Sequence, residues 1–207
     1  MKKKIAFVHN AMWEMYNFRG ELLQELKAKG YEITVICPPD EKNAHYFTDL
    51  GIKLLTVPMS RKGTNIKEDL QLVKNLFKVY KKEKFDLVFH YTIKPNIYGT
   101  LAAKLAGIKS IAITTGLGYV FLHNNITSLI AKFMYKFSLA FANEVWFLND
   151  DDMNIFLDKD LITERQAFKL PSEGINTKRF VPKEKSRKDN KTVFLMIARV
   201  LYDKGFN

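Results

Sequence analysis

Residues 86–114 read DLVFHYTIKPNIYGTLAAKLAGIKSIAIT, and this stretch decides the fold class. Three consecutive apolar residues occupy the middle of each of the segments 86–90 and 110–114, which predicts two buried strands. Between them, residues 96–106 are rich in small side chains and are followed by Gly107, which predicts a helix with a glycine stop. A strand–helix–strand unit of this length joins parallel strands of one sheet.

The rest of the chain repeats this alternation of short apolar runs and longer amphipathic stretches. We predict further strands over residues 5–8, 32–36, 53–57, 144–148 and 167–170. We predict further helices over residues 18–29, 45–50, 66–82, 126–142 and 151–156. The predicted fold class is therefore α/β, a doubly wound and mostly parallel sheet with helices on both faces.

Composition restricts the class of protein and its surroundings. The chain has 207 residues, of which 47% are hydrophobic, and this excludes intrinsic disorder. Its net charge of +11 indicates an anionic partner such as a phosphorylated substrate, acidic lipid or nucleic acid, although a lysine-rich solvated surface explains it equally well. The single cysteine, Cys37, excludes an internal disulfide. Because we find neither a signal peptide nor a membrane-spanning apolar run, we expect a cytoplasmic protein.

The loops that follow the strands contain the candidate binding residues, since parallel α/β sheets bind ligands at the carboxyl ends of their strands. The first such loop, residues 9–20, lacks the Gly-x-Gly-x-x-Gly pattern of dinucleotide enzymes. It contains Arg19, a candidate anchor for a phosphate at a helix N-terminus. His90 ends the fourth strand, and Lys94 precedes the next helix as a candidate point charge for a phosphate. The alternatives are packing for His90 and solvation for Lys94.

A second candidate loop follows the strand over residues 110–114. It contains Thr115, Gly116 and Gly118, and two closely spaced glycines indicate a close backbone approach to a ligand or an ordinary turn. Free backbone N–H groups in such a loop can bind an anionic or hydroxyl-rich ligand.

The helix predicted over residues 126–142 combines apolar and basic side chains. Its apolar stripe predicts either a core-facing helix or a surface that rests on an anionic bilayer. The stripe comprises Leu129, Ile130, Phe133, Met134, Phe137 and Phe141, with Lys132 and Lys136 elsewhere on the helix.

The chain changes character near its end. We predict one domain over residues 1–181, a charged linker over 182–190, and the start of a second domain over 191–207. Within that last segment, residues 192–198 are continuously apolar except for Thr192, which predicts a buried strand.

Several motifs occur in an order that resembles the retaining GT-B glycosyltransferases of family 4. They are the glycines of residues 116–118, the Ser-Glu-Gly-Ile-Asn segment of 172–176 before Arg179 and Phe180, and the Ala-Arg and Asp-Lys-Gly pair of 198–199 and 203–205. Residues 94–99 and 115–121 are similar to the bacterial branch that extends undecaprenyl-diphosphate-linked sugars, such as N-acetylgalactosaminyl transferases. The resemblance implies a Rossmann-like domain that binds the acceptor and a second domain that binds a sugar nucleotide.

The resemblance also implies roles for individual residues. Arg199 and Lys204 match the positions that hold the donor diphosphate, where two cations stabilise the charge of the leaving group. The donor is a UDP-sugar, the acceptor a lipid-linked saccharide, and no metal or other cofactor is needed. Many family members have His, Glu or Asp where this chain has Thr115, so His90 and Thr115 are the candidate catalytic residues. Arg19, Lys94, Gly116 and Gly118 are the candidate acceptor-binding residues.

Two other classes of protein fit the pattern. One is a non-catalytic Rossmann-like module that binds anionic lipid or a phosphorylated ligand, and the other is a sugar-nucleotide epimerase built on the same plan. No helix-turn-helix, zinc-ligand set or RNA-binding aromatic signature occurs in the sequence, so we do not expect a nucleic-acid partner.

Overall fold

A computed structural model describes residues 2–60, 63, 65–117, 126–171, 173–182 and 192–198. The chain divides into two compact units, residues 1–173 and residues 174–207. The boundary predicted from the sequence lies after residue 181, and the functional domain limits stay a prediction.

The first unit is built on one seven-stranded sheet in which all strands are parallel. Its strands run in the order β3-β2-β1-β4-β5-β6-β7. Their bounds are Lys4–Val8 (β1), Glu32–Cys37 (β2), Lys53–Thr56 (β3), Leu87–Tyr91 (β4), Lys109–Thr114 (β5), Glu144–Phe147 (β6) and Ala167–Lys169 (β7). This confirms the predicted α/β fold with a parallel sheet.

Helices connect the strands along the described part of the chain. They are Met12–Ala28 (α1), His45–Asp49 (α2), Ile66–Glu83 (α3), Thr100–Ala106 (α4), Ile126–Leu139 (α5) and Asp150–Asp158 (α6). A π-helical turn, Pro95–Gly99, leads into α4, and a 3₁₀ turn, Glu164–Gln166, leads into β7. Among the helices so described, none is long and apolar enough to cross a bilayer.

Apolar residues cover both faces of the sheet, as the continuous apolar strands require. Successive side chains of a strand point to opposite faces. In β1, Ile5 and Phe7 pack into the core that contains Met15 of α1, whereas Ala6 and Val8 pack into the core of α3 and α4. A third core joins β5 and β6 to α5 and α6. Strand β1 is thus held by packing on both of its faces, up to Val8 at its carboxyl end.

Helix α1 begins at Met12, six residues before the predicted start at Phe18. The N-cap residue is Ala11, whose side chain cannot cap the helix, so the sequence carries no ordinary start signal. Instead, the Nδ1 atom of His9 accepts a hydrogen bond from the backbone N–H of Ala11 at 2.9 Å. Met12 and Met15 are fully buried, and their packing against the sheet stabilises this first turn.

The glycine at the end of the π-helical turn has a steric cause. Pro95 supplies its first residue, and Gly99 lies directly against the imidazole ring of His90. A Cβ atom on Gly99 would lie 2.5 Å from Cδ2 and 2.6 Å from Nε2 of that ring. Glycine is therefore required here by the close approach of a side chain from β4.

The predicted strand over residues 192–198 does not form in the second unit. These residues make no strand pairing among the described residues, and Phe194 is 93% exposed. The prediction was wrong for this structure because an apolar run becomes a strand only when a neighbouring strand satisfies its backbone groups. The other described segment of this unit forms a turn in which the carbonyl of Asn176 accepts from the N–H groups of Arg179 and Phe180.

Candidate functional site

The strand order changes direction between β1 and β4, and this topological switch point defines a crevice at the carboxyl ends of the strands. The chain leaves β1 toward β2 on one side of the sheet, whereas β4 and β5 continue on the other side. Open parallel sheets bind ligands at such a switch point. The residues that follow β1, β4 and β5 are therefore the candidate site.

Arg19 lies in the second turn of α1 and is buried, with 7% of its surface exposed. Its Nη2 atom forms an ion pair with the Glu173 carboxylate, and its guanidinium carbon lies 4.7 Å from the ring centroid of Tyr91. Burial raises the pKa of Tyr91 to about 12, while the Arg19 charge opposes that shift. We had expected a phosphate anchor at a helix N-terminus, but the earlier start of α1 places Arg19 inside the helix with a carboxylate partner.

His9 is a polar residue of the crevice that the sequence analysis did not single out. It is buried, and its Nε2 atom lies 3.9 Å from a carboxylate oxygen of Glu14. Because Nδ1 accepts the Ala11 N–H, the ring proton of a neutral His9 is on Nε2, toward Glu14. A histidine directly after a central strand is a signal that the sequence does contain.

His90 is fully buried between the sheet and two helices. Its Nε2 atom lies 3.0 Å from the hydroxyl of Tyr80, and its Nδ1 atom lies 3.4 Å from the hydroxyl of Thr100. Burial lowers the pKa of His90 to about 3, so the ring stays neutral at physiological pH. The sequence predicts that His90 ends the fourth strand, whereas it lies inside the core, one residue before the end of β4.

Lys94 is also buried, and its charge is already matched within the first unit. Its Nζ atom donates to a carboxylate oxygen of Asp69 at 2.6 Å and to the Ser60 hydroxyl at 2.7 Å. The hydroxyl of Tyr98 donates to the other Asp69 oxygen at 2.8 Å, and burial together with this carboxylate raises the Tyr98 pKa. Lys94 therefore connects the loop after β3 to α3 and to the π-helical turn. It is not the solvated cation considered from the sequence.

The loop after β5 is described only at its start. Thr115 and Gly116 are exposed, and Gly116 has a φ of +142°, a backbone conformation that favours glycine. Gly118, Arg199 and Lys204 lie outside the described residues, so their predicted roles stay predictions. Among the residues that the structure does describe, no group of three His, Cys, Asp or Glu side chains forms a metal site.

Five buried side-chain oxygens have no hydrogen-bond partner among the described residues; two of them belong to Asn96 and Ser138, and the other three lie at the ends of adjacent strands. These three are Oδ1 of Asn10, Oγ1 of Thr92 and Oγ1 of Thr114. They follow β1, follow β4 and end β5, which are neighbours in the sheet. Buried polar atoms are almost always paired, so each of these oxygens requires an explanation. We name Asn10, Thr92 and Thr114 the oxygen row.

Parallel strands with a polar crevice at the switch point define the class as a Rossmann-like α/β domain. A solved glycosyltransferase from Rickettsia africae ESF-5 has the same fold, with a TM-score of 0.60 and 20% sequence identity. The match covers 86% of this chain and 45% of that chain, and at this identity it shows the fold alone.

The chain belongs to the glycosyl transferase 4-like family, whose family model matches residues 4–149. That match includes the ends of β1, β4 and β5, and thus the oxygen row. The family match covers the crevice as a whole and does not assign its individual residues to the donor or to the acceptor.

Two curated relatives resemble the chain more specifically. One is N,N'-diacetylbacillosaminyl-diphospho-undecaprenol alpha-1,3-N-acetylgalactosaminyltransferase of Campylobacter jejuni, 32% identical over 98% of this chain and 57% of the relative. The other is UDP-Gal:alpha-D-GlcNAc-diphosphoundecaprenol alpha-1,3-galactosyltransferase of Escherichia coli, 26% identical over 82% of this chain and 46% of the relative. The chain thus spans about half the length of the curated relatives that it matches.

Proposed function

We propose that the protein transfers a sugar from a UDP-sugar to a lipid-linked saccharide in bacterial surface glycan synthesis, and that the described sheet forms its acceptor side. The observation that carries the proposal is the family match over residues 4–149, which contains the crevice. The names of both curated relatives specify a diphospho-undecaprenol saccharide as acceptor, and one of them names UDP-galactose as donor.

We propose that the reaction retains the anomeric configuration. The acceptor hydroxyl approaches on the face of the leaving group, the glycosidic oxygen–carbon bond to the UDP breaks, and the departing phosphate takes the hydroxyl proton. Such a route requires no side-chain base, which agrees with the full burial of His90 and with its lowered pKa, since that pKa makes the imidazole a weak base. Arg199 and Lys204 hold the donor diphosphate in this scheme, since two cations stabilise the charge that develops on it.

The loop after β5 contributes backbone groups to the acceptor site in this proposal. Thr115 and Gly116 are exposed at the sheet edge, and we propose that they and Gly118 lie against the acceptor. Arg19 and Lys94 act as positioning residues. Arg19 pairs with Glu173, the last residue of the first unit, and Lys94 fixes the loop after β3.

We further propose that α5 rests on an anionic membrane surface at the cytoplasmic face. Five of its apolar side chains are between 52% and 76% exposed: Ile126, Leu129, Ile130, Phe133 and Phe137. Lys136 is exposed on the same helix, and the chain carries a net charge of +11. An apolar helix face with lysines beside it fits a bilayer whose headgroups are negative.

Vesicle binding tests the membrane part of the proposal. We expect the complete gene product to sediment with phosphatidylserine-containing vesicles, and Lys136→Glu combined with Phe133→Ser to weaken this binding at least tenfold, because a basic residue near the surface contributes about 1 kcal/mol. Lys74→Glu with Leu70→Ser is the matched control, since it changes an exposed lysine and an equally exposed leucine on α3. An equal loss of vesicle binding in both double variants would show that α5 contributes no more to membrane binding than α3 does.

Turnover tests the transferase itself. We expect the complete gene product to release UDP from a UDP-N-acetylhexosamine or UDP-hexose only when a polyprenyl-diphosphate-linked saccharide is present, with a product in which the configuration is retained. Inertness over a broad panel of donors and acceptors, together with tight and strongly salt-dependent vesicle binding, would instead favour the non-catalytic lipid-binding module.

A further inference from the structure

One long stretch of the chain, which contains α4 and α5, is free of acidic residues. Residues 87–143 include five lysines and neither Asp nor Glu, although the whole chain has 22 acidic residues. A surface built from these two helices therefore contributes positive charge and no negative charge. Such a surface fits an anionic partner.

The two helices meet near their carboxyl-terminal ends. The ammonium group of Lys104, in the last turn of α4, lies 5.5 Å from the ring centroid of Phe141, two residues after the end of α5. The Phe141 ring packs edge-on against the ring of Phe137, with 5.5 Å between the two centroids. The exposed residues of α4 are Lys104 and Leu105, and Leu105 is 64% exposed. The last turn of α4 thus adds a lysine and an exposed leucine to the apolar surface of α5.

The chemistry of this surface favours an anionic bilayer over a second copy of the chain. Exposed apolar side chains in one patch mark a site of protein or membrane contact. Two copies of the surface placed face to face would bring lysines of like charge together without a carboxylate between them. On a bilayer, by contrast, the lysine stems lie along apolar groups while their ammonium groups reach the negative headgroups.

We propose that Lys104, Leu105 and Phe141 form, together with α5, a two-helix surface that docks on anionic lipid. This inference rests on the membrane contact proposed above for α5 and adds α4 to it. A body attached along one helix can roll about the axis of that helix, whereas contacts on two helices prevent this rotation. Docking through both helices therefore fixes the direction in which the crevice faces relative to the bilayer.

Site-specific labelling tests this surface without any measurement of turnover. Cys37 is the single cysteine of these 207 residues and is buried, so a new surface cysteine of the complete gene product can be labelled selectively once any cysteine outside residues 1–207 is replaced by serine. The variants are Leu105→Cys on α4 and Phe133→Cys on α5, each labelled with an environment-sensitive fluorophore. Leu70→Cys on α3 is the matched control, since Leu70 is 65% exposed and Leu105 is 64% exposed.

We expect vesicles that contain phosphatidylserine to shift the emission at positions 105 and 133 to shorter wavelength and to leave the emission at position 70 unchanged. Lys104→Glu tests the charge of the same surface. It should raise the Kd for these vesicles about five- to thirtyfold, because each basic residue near an anionic surface favours binding about fivefold and the substitution reverses the charge. Lys74→Glu, at an exposed lysine of α3, should change the Kd by no more than about twofold.

The outcomes separate this inference from the membrane contact on which it rests. A shift at position 133 without one at position 105 leaves α5 as the membrane contact and overturns the two-helix surface, as does a shift at position 105 alone. Equal shifts at all three positions, or equal binding to vesicles of neutral lipid, show nonspecific adsorption and also overturn it. A protein that binds no vesicle removes the membrane contact itself and the inference with it. A dimer that forms without lipid and gives the same shift at position 105 assigns the surface to a second copy and overturns the lipid assignment.

Discussion

The contact between Gly99 and His90 makes Gly99→Ala the most sharply defined perturbation of this fold. The new Cβ atom would meet ring atoms at 2.5 and 2.6 Å, closer than real Cβ contacts. The ring cannot move aside freely, because His90 is fully buried and contacts Tyr80 on α3 and Thr100 on α4. Either the π-helical turn or the imidazole must shift.

The expected cost combines three effects. Overpacking of a dense core costs about 1–3 kcal/mol, and weakening the Tyr80–His90 hydrogen bond costs about 1 kcal/mol more. Alanine recovers about 0.5–1 kcal/mol through its better helix propensity. We therefore expect a net loss of about 1–3 kcal/mol, which lowers the melting temperature by roughly 3–10 °C for a domain of this size.

Thermal and denaturant unfolding of the purified protein measure this loss. Gly20→Ala is a suitable comparison, since its Cβ would meet only the Tyr16 ring at 3.3 Å, and we expect a smaller effect. The double variant Gly99→Ala with His90→Ala provides the decisive test, because removing the ring makes room for the methyl group and the two costs then fail to add. Additive costs, or a Gly99→Ala protein as stable as wild type, would refute the steric explanation.

Two more predictions concern buried titratable groups. Burial lowers the His90 pKa to about 3 from an ordinary value of 6.5, so between these pH values the unfolded chain binds a proton that the folded chain does not. The free energy of unfolding should therefore fall as the pH drops from about 6.5 toward 3. In denaturant titrations at several pH values, His90→Asn should reduce this pH dependence. Removing one member of the Lys94–Asp69 pair leaves a buried charge, so Lys94→Met should cost about 3–5 kcal/mol in denaturant unfolding, whereas Lys94→Met with Asp69→Leu should recover most of that loss. A single variant no less stable than the double variant would contradict this account.

The parallel sheet was largely predictable because its strands are buried on both faces. Most of β4 is apolar and β5 contains the apolar run 111–113, and such runs identify strands without any alternation to interpret. The start of α1 was not predictable from capping rules, since it depends on the His9 ring and on the burial of Met12 and Met15. For residues 192–198 the sequence predicted an element that the structure lacks, because apolar composition alone does not supply a neighbouring strand to pair with.

The candidate site was less predictable, for a reason that the cations illustrate. Arg19 pairs with Glu173, 154 residues away in the sequence, and Lys94 pairs with Asp69, 25 residues away. Composition indicates how many charges a chain carries, but only the fold decides which of them neutralise each other.

These pairings bear on how an acceptor would be recognised. Among the described residues, both cations that the sequence assigned to the acceptor diphosphate are matched by carboxylates. A ligand gains little by competing with Asp69 for Lys94, because breaking that pair leaves a buried carboxylate unpaired.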